Sequence, residues 1–368
     1  MRKIQISDCT LRDAKSAPGV FLDVEQSVTI AKFLISIGVD EIEAGVVNHS
    51  ETEKETLQQI SKLVPTNIRI TAAFFCVNPD DIERSIEFVL KSGCTGIFIS
   101  MPCSDILIEN KSLKSRKEAL SILCKAIRYA KAQGLYVAFS GEDSARANEA
   151  FLVDYIKAGQ DSGANRFRFA ESVACLAPHM IRDKISFIRS KIDFDIEMHS
   201  HSAYGLAVAN TIAGLEAGAT WASVTVDGIG ERGGNCALAP ILLYAKKFNH
   251  ELGYNLKPLK KLSEYTALCT GLPFHRFTPI VGPSAFEYEV FNQFKSPSSY
   301  EDYDPAEVGN ARKLILGKRV DINTVKHLCA ELDADEAIAH KSIVEHIKKN
   351  MKSLTIEEAA DLIKSIRS

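Results

Sequence analysis

The 368-residue chain has little that ties it to a membrane, a nucleic acid or an oxidising compartment. Its longest apolar uncharged run, residues 236–245, is about half of what a bilayer span requires. The opening MRKIQISDCTLRD has no apolar stretch after its basic residues, so it does not read as a secretory signal. Charge of one sign is also missing: 44 Lys and Arg stand against 47 Asp and Glu, a net charge of −3, which excludes bulk attraction to nucleic acid or an anionic bilayer. Nine cysteines are too sparse and too odd a number for a disulfide framework, and none forms a CxxC pair, so a reduced cytoplasmic protein is the plain reading. No GxGxxG dinucleotide fingerprint follows the first strand-like run.

What is present is a large apolar fraction, 46%, with 25% charged residues, which excludes disorder for the chain as a whole. The length fits a barrel of about 250 residues with an appendage. Strand-like runs are read at 3–7, 41–44, 68–75, 96–101, 136–140, 166–170, 194–199 and 221–226. Helical apolar spacing falls at 24–37, 82–91, 117–132, 149–158, 181–191 and 205–217. Gly38, Gly93, Gly134, Gly163 and Gly218 stand where helices end before the next strand. Eight strand–helix repeats predict a closed parallel (β/α)8 TIM barrel; an open doubly wound sheet is the alternative. The rhythm stops after about residue 270. Residues 271–305 read as loop with short turns, and 306–368 give three helical patterns, the last opening at Thr355-Ile-Glu-Glu. The expected domains are a catalytic barrel, 1–272, and a mainly helical C-terminal subdomain, 273–368.

Barrel enzymes work at the carboxyl ends of their strands. Nearly every strand carries ionisable or polar residues there: Asp8, Thr10, Arg12 and Asp13; Glu43; Glu142, Asp143, Ser144 and Arg146; Arg168, Glu171 and Ser172; Glu197, His199 and His201; and 227–235, ending in Asn235. Asp143 is a candidate without an assigned role. His199-x-His201 puts two imidazoles on one face of a strand, where they can share a metal ion; two solvated histidines are the alternative. Asp13 and Asn235 come from the neighbouring first and eighth strands. Such a donor set suits Zn²⁺, Mn²⁺, Co²⁺ or Mg²⁺. Arg12 beside Asp13 can hold an oxyanion, unless the two form a surface ion pair. The glycine-dense loop 228–235 reads as a phosphate cradle, a loop presenting Asn235, or a flexible connection. Cys9, Cys94, Cys103, Cys124 and Cys175 read as buried small hydrophobes.

Asp8-Cys-Thr-Leu-Arg-Asp13, Ala17-Pro-Gly-Val20, Glu41-Ile-Glu-Ala-Gly45, His199-x-His201 followed by Gly205-Leu-Ala-Val-Ala-Asn210, and Gly228-Ile-Gly-Glu-Arg-Gly-Gly-Asn235 occur in that order. Pro279-Ile-Val-Gly282, Ser299-Tyr-Glu-Asp-Tyr-Asp-Pro305 and Leu314-Ile-Leu-Gly-Lys318 continue the series. Together they resemble the metal-dependent barrel family of homocitrate, 2-isopropylmalate and citramalate synthases. The resemblance implies a Claisen condensation. Acetyl-CoA or a related acyl-CoA loses a methyl proton, its enolate attacks a 2-oxo acid, and thioester hydrolysis gives a 2-hydroxy dicarboxylate and CoA. It implies a divalent ion on Asp13, His199, His201 and Asn235, and Arg12 on the developing oxyanions. Ser172, with Arg168, stands where the family binds the oxo-acid carboxylate. Glu197 matches the homocitrate-synthase subgroup, and Tyr300 matches a lid tyrosine that reaches the active site. A homodimer is implied by the same analogy. The chain ends near the length of nitrogen-fixation-type homocitrate synthases, without room for the regulatory domain of typical isopropylmalate synthases.

The departures concern proton transfer. Ala14-Lys15-Ser16 replaces Gly-Glu-Gln, Ser202-Ala203 replaces Asn-Asp after the histidines, and Ala170-Glu-Ser-Val-Ala174 replaces Ala-Asp-Thr-Val-Gly. The lid segment 284–300 has no histidine; Glu289 or Gln293 falls at its place, and neither replaces an imidazole near neutral pH without a large pKa shift. A metal-dependent aldolase or lyase, or a catalytically weak metabolite-binding relative, is therefore weighed beside the acyltransferase.

Overall fold

Alternating strand and helix close into a barrel because each parallel strand must be covered on its outer face by the helix that follows it. In the computed structural model the strands are β1 (Gln5–Asp8), β2 (Glu41–Val46), β3 (Arg69–Phe75), β4 (Gly96–Pro102), β5 (Tyr136–Glu142), β6 (Arg166–Glu171), β7 (Ile196–Ser200) and β8 (Trp221–Val224). They pair in chain order, and β8 returns to β1 with Gln5 opposite Trp221 and Asp8 opposite Val224. The open sheet is excluded. The structure describes residues 3–248, 253–272 and 274–367, so Pro273 and Ser368, at the edges of two expected segments, lie outside it. The chain divides into two compact units, 1–274 and 275–368.

Expected helices 24–37 and 82–91 appear as Val24–Ile37 and Ile82–Lys91. The others shift at their ends, as in Glu149–Asp161 and Ala207–Glu216. The five helix-ending glycines all have positive φ. Helices Leu238–Phe248 and Leu259–Thr270, the short Asp105–Asn110 and Glu51–Leu63 had no counterpart in the apolar spacing. Of these, Glu51–Leu63 buries only Thr56, Leu57 and Ile60. It starts where Ser50 Oγ accepts from the Glu53 N–H at 3.2 Å. The last strand was expected to reach residue 226. It stops at Val224, because a 3-10 turn over Val226–Gly228 follows, with Asp227 at φ 53°.

The barrel interior departs from the usual layers of branched apolar residues. Residues i and i+2 of a strand share a face. Glu41 and Glu43 on β2, Arg166 and Arg168 on β6, and Glu197 on β7 all turn inward and are essentially unexposed. Arg166 Nη2 meets Glu41 Oε1 at 2.6 Å, and Arg168 Nη2 meets Glu43 Oε2 at 2.6 Å, both across the barrel from β6 to β2. Glu197 joins the rows, 2.7 Å from Arg166 Nε and 2.8 Å from Arg168 Nη2. The guanidinium of Arg166 lies 3.9 Å over the Trp221 ring and that of Arg168 lies 3.7 Å over Phe98.

In the C-terminal unit, helices Ile322–Leu332, Glu336–Asn350 and Ile356–Arg367 bury Leu316, Val325, Leu328, Ile343 and Ile363. The last opens as its sequence predicts: Thr355 Oγ1 accepts from the Glu358 N–H at 3.2 Å, and Glu358 Oε2 accepts from the Thr355 N–H at 2.9 Å. A small sheet was not anticipated. It orders β11 (Leu354–Thr355), β10 (Lys313–Leu316) and β9 (Glu287–Tyr288). Segment 271–305 is mostly turns, with β9 and a short helix, Phe291–Lys295. No helix among the described residues is long and apolar enough to cross a membrane.

Candidate active site and metal centre

The chain leaves β1 through one tight helical turn, Thr10–Asp13, which sets Arg12 and Asp13 side by side at the barrel mouth. Both are buried, at 7% and 1% exposure, so the surface ion pair is excluded. Arg12 Nη1 lies 2.9 Å from Asp13 Oδ1, and Arg12 Nε donates to Glu43. Burial opposes the charge on Arg12, but Asp13 and Glu43 outweigh it and hold the guanidinium more firmly protonated than usual. Burial likewise opposes the charge of Glu43, yet Arg12 and Arg168 keep its pKa below the usual range.

His199 ends the inward row of β7, and His201 follows, bridged to Asn235. Their rings are 5.0 Å apart and nearly perpendicular. Asp13 Oδ2 accepts from Asn235 Nδ2 at 2.6 Å and lies 3.4 Å from His199 Nε2. Asn235 Oδ1 and His201 Nδ1 are buried without a hydrogen-bond partner. Burial pushes the pKa of His199 well below its ordinary value, with help from His201 and Arg168. Burial also lowers that of His201. Two imidazoles of lowered basicity, a carboxylate and an amide oxygen without a partner are donor types that suit a divalent cation; His199 and Asp13 bring their donor atoms within 4.8 Å of each other, and His201 stands outside that close group. Loop 228–235 is shaped around Asn235. A Cβ on Gly230 would sit 2.8 Å from the Asn235 side-chain amide, and Gly234, at φ 91°, would press a Cβ to 2.3 Å from the Gly228 carbonyl oxygen. Of the three readings of this loop, the geometry favours the one that presents Asn235.

Cys9 corrects an expectation. It is buried, as read, but it is no inert filler: its Sγ falls with Asp13 and His199 in one group whose donor atoms lie within 4.8 Å of one another. Burial pushes its thiol well above the ordinary range. Of the other cysteines read as buried, Cys94 and Cys103 are so, Cys124 is half-buried and Cys175 is exposed.

A cavity of about 210 Å³ opens beside the cluster, and Arg12, Asp13, Ser16, Arg168, Ser172, His199 and His201 all line it. Ser172 Oγ accepts from the Asp143 N–H at 3.0 Å. Asp143 itself is not on the wall; it is buried and paired with Arg146 Nη2 at 2.8 Å. Glu142 is on the wall, with Lys111 Nζ 2.5 Å away. Lys111, at the end of a short helix after β4, had no signal in the sequence. Glu197 stands differently from its expected catalytic place. It lies in the interior ion rows between Arg166 and Arg168, off the cavity wall. Tyr300 belongs to the C-terminal unit, where it is exposed.

A closed barrel with an N- and O-donor cluster at the carboxyl ends of its strands defines a divalent-metal-dependent barrel enzyme. The chain belongs to the HMGL-like family, whose model matches residues 3–265. It is 38% identical to the 2-isopropylmalate synthase of Sulfolobus acidocaldarius, over 90% of this chain and 86% of that protein. It is 34% identical to homocitrate synthase 1 of Nostoc sp., over 100% of this chain and 98% of that one. Among solved structures, the HMG-CoA lyase of Bacillus subtilis aligns with a TM-score of 0.66 at 18% identity, covering 74% of this chain and 96% of that one; this likeness concerns the fold. The resemblance drawn from the motifs is borne out, and the chain takes its place among the acyltransferases of the family.

Proposed function

We propose that the chain condenses acetyl-CoA, or a related acyl-CoA, with a 2-oxo acid and releases CoA and a 2-hydroxy dicarboxylate. The observation that carries this reading is the meeting of Arg12, Asp13, His199 and His201 on one cavity. A divalent ion (Mn²⁺, Mg²⁺, Zn²⁺ or Co²⁺) on Asp13, His199, His201 and Asn235 supplies Lewis acidity toward the ketone. Arg12, clamped by Asp13 and Glu43, presents a fixed positive charge to the oxyanions that develop. Arg168 and Ser172 on the wall bind the oxo-acid carboxylates. Glu197 acts one layer deeper, as a positioning residue that holds Arg168. Residues 273–368 serve as a lid subdomain contributing Tyr300, in a cytoplasmic homodimer that takes neither nucleic acid nor membrane as partner.

The second reading, a metal-dependent aldolase or lyase, draws on one observation: segment 284–300 lacks a histidine, Glu289 is exposed and Gln293 is half-buried. One assay separates the readings. The purified protein is incubated with Mn²⁺, Mg²⁺ or Zn²⁺, acetyl-CoA and a panel of 2-oxo acids while free thiol is followed. Thiol release that needs both the oxo acid and His199 is expected. Pyruvate or aldehyde formed from hydroxy-oxo acids without thiol release would replace the first reading with the second. Metal binding without turnover on any panel would make the chain a metabolite-binding relative.

A further inference from the structure

His199 offers two ring nitrogens, and they face different surroundings. Nε2 lies 3.4 Å from Asp13 Oδ2, on the side of the candidate centre. Nδ1 lies 2.9 Å from Ser223 Oγ on the neighbouring strand β8. Ser223 is 1% exposed, and its Oγ is 3.2 Å from Cys9 Sγ. Cys9 Sγ in turn lies 3.2 Å from the Val224 carbonyl oxygen. Imidazole, hydroxyl, thiol and carbonyl thus form one buried row, and of its side chains only His199 lines the cavity.

The end of the row decides how protons are arranged along it. A carbonyl oxygen only accepts, while hydroxyl and thiol each carry a single proton. If the Cys9 S–H points at Val224, its sulfur accepts from the Ser223 O–H, and Ser223 Oγ accepts from His199 Nδ1–H. Nε2 is then a bare lone pair facing Asp13. The opposite order runs from thiol to hydroxyl to Nδ1. It leaves the proton on Nε2, where it can only be donated to Asp13 and shuts out a cation.

We propose that Ser223 and Cys9 are positioning residues that hold His199 in its Nδ1–H form, making Nε2 the ligating atom, with Cys9 a neutral link in the row and not a metal ligand. This rests on the divalent-ion reading of the site given above. A second layer of this kind fixes the tautomer and orientation of a ligating imidazole. It also leaves the centre with nitrogen and oxygen donors alone, a set that admits Mn²⁺ and Mg²⁺ and does not favour thiolate-seeking ions.

The test compares Mn²⁺ binding, by titration calorimetry, in the full chain and in the variants Ser223→Ala, Cys9→Ser, Cys9→Ala and His199→Ala. Ser223→Ala is expected to weaken Mn²⁺ by about 10–100-fold. Cys9→Ser, which keeps one donor and one acceptor, should stay close to the parent, with Cys9→Ala between the two. His199→Ala should abolish binding. Unchanged affinity in Ser223→Ala overturns the proposal, and so does loss in Cys9→Ser as deep as in His199→Ala, because sulfur would then be a ligand. Melting of the metal-free variants against the metal-free parent separates lost affinity from lost folding. ¹⁵N spectra of the Zn²⁺-loaded parent give an answer that needs no variant: a protonated Nδ1 on His199 is expected, and a bare Nδ1 overturns the row. If the folded parent binds no divalent ion, or His199→Ala binds as the parent does, the reading of the centre itself fails; if the parent binds, His199→Ala does not and Ser223→Ala matches the parent, only the row fails.

Discussion

Two groups of buried polar residues lie one above the other in this barrel, and they are built on opposite terms. In the lower group, every charge has an opposite charge close by: Arg166 with Glu41 and Glu197, Arg168 with Glu43 and Glu197. In the upper group, two imidazoles of lowered basicity and an amide share one carboxylate, and Asn235 Oδ1 and His201 Nδ1 have no hydrogen-bond partner. A buried polar atom without a partner costs about 1–3 kcal/mol. The upper group therefore carries a cost that a bound ligand can relieve; the lower one also keeps unpartnered atoms, Arg168 Nε and Nη1 among them, but each of its charges is met by an opposite one. Neither burial nor an unpartnered atom alone marks a functional site; what sets the upper group apart is that its imidazoles gather with one carboxylate on the wall of the cavity. Arg12 joins the two layers, since it pairs with Glu43 below and Asp13 above.

The comparison breaks most visibly if the upper layer can be damaged without loss of function. His199→Ala, or removal of divalent ions by a chelator, is expected to lower oxo-acid-dependent thiol release by at least about 10³-fold. The basis is the several kcal/mol that a Lewis acid contributes, with each 1.36 kcal/mol a factor of ten in rate. Stability should change little in the metal-free protein. Residual turnover above that level in metal-free enzyme would remove the ion from the mechanism.

The lower layer is expected to behave in the reverse way. Glu197→Gln leaves Arg166 and Arg168 short of a counter-charge in the interior, and the expected loss is about 3–5 kcal/mol of unfolding free energy, read from urea titrations. Mn²⁺ affinity of the folded fraction should survive. If stability holds and metal binding disappears, the division between the two layers is wrong.

A third measurement sharpens the boundary through pH. Burial raises the Asp8 carboxyl to about 7, against a hydrogen bond from the Thr10 N–H that favours the charged form. Between the ordinary carboxyl value and about 7, the native state keeps this proton and the unfolded chain does not. Stability contributed by the protonated form is therefore lost as pH rises through that window, at up to about 1.4 kcal/mol per pH unit. Asp8→Asn keeps the Oδ1 acceptor and removes the titration. Its stability relative to the parent should climb from pH 4 to 7 and then level off; a constant difference would show that Asp8 is ionised in the folded protein.

Much of this was legible in the sequence. Strand and helix alternate with the right periods, and the residues after each strand drew attention to Arg12, Asp13, His199, His201 and Asn235 before any geometry was known. Depth along a strand was harder to judge. Glu43 and Glu197 were assigned to the mouth, whereas they sit in the ion rows beneath it. The signal was there in Glu41-x-Glu43 against Arg166-x-Arg168: opposite charges at i and i+2 on strands four apart, which face each other across an eight-stranded barrel. Cys9 was missed because its partners, Ser223 and Val224, are more than 200 residues away in the chain. The C-terminal sheet was missed because strands of two residues, β9 and β11, carry no period to detect.

The smallest expected effect tests how the upper layer is held. Gly230 touches no candidate ligand atom through a side chain of its own, yet an added Cβ there would stand 2.8 Å from the Asn235 amide group, too close for carbon. Gly230→Ala must therefore move the Asn235 side chain or the loop. Asn235 Nδ2 donates to Asp13 at 2.6 Å, so the displacement reaches the carboxylate as well. One displaced neutral donor with a weakened supporting bond should lower metal affinity by about tenfold, the lower end for losing a supporting contact. Global stability should fall by no more than about 1 kcal/mol, because Glu231 beside it is half-buried, Arg232 is exposed, and neither belongs to the packed core. If Gly230→Ala binds Mn²⁺ as the parent does while Asn235→Ala does not, the loop yields without moving the amide. If both bind as the parent does, Asn235 leaves the ligand set, and its buried oxygen needs another partner.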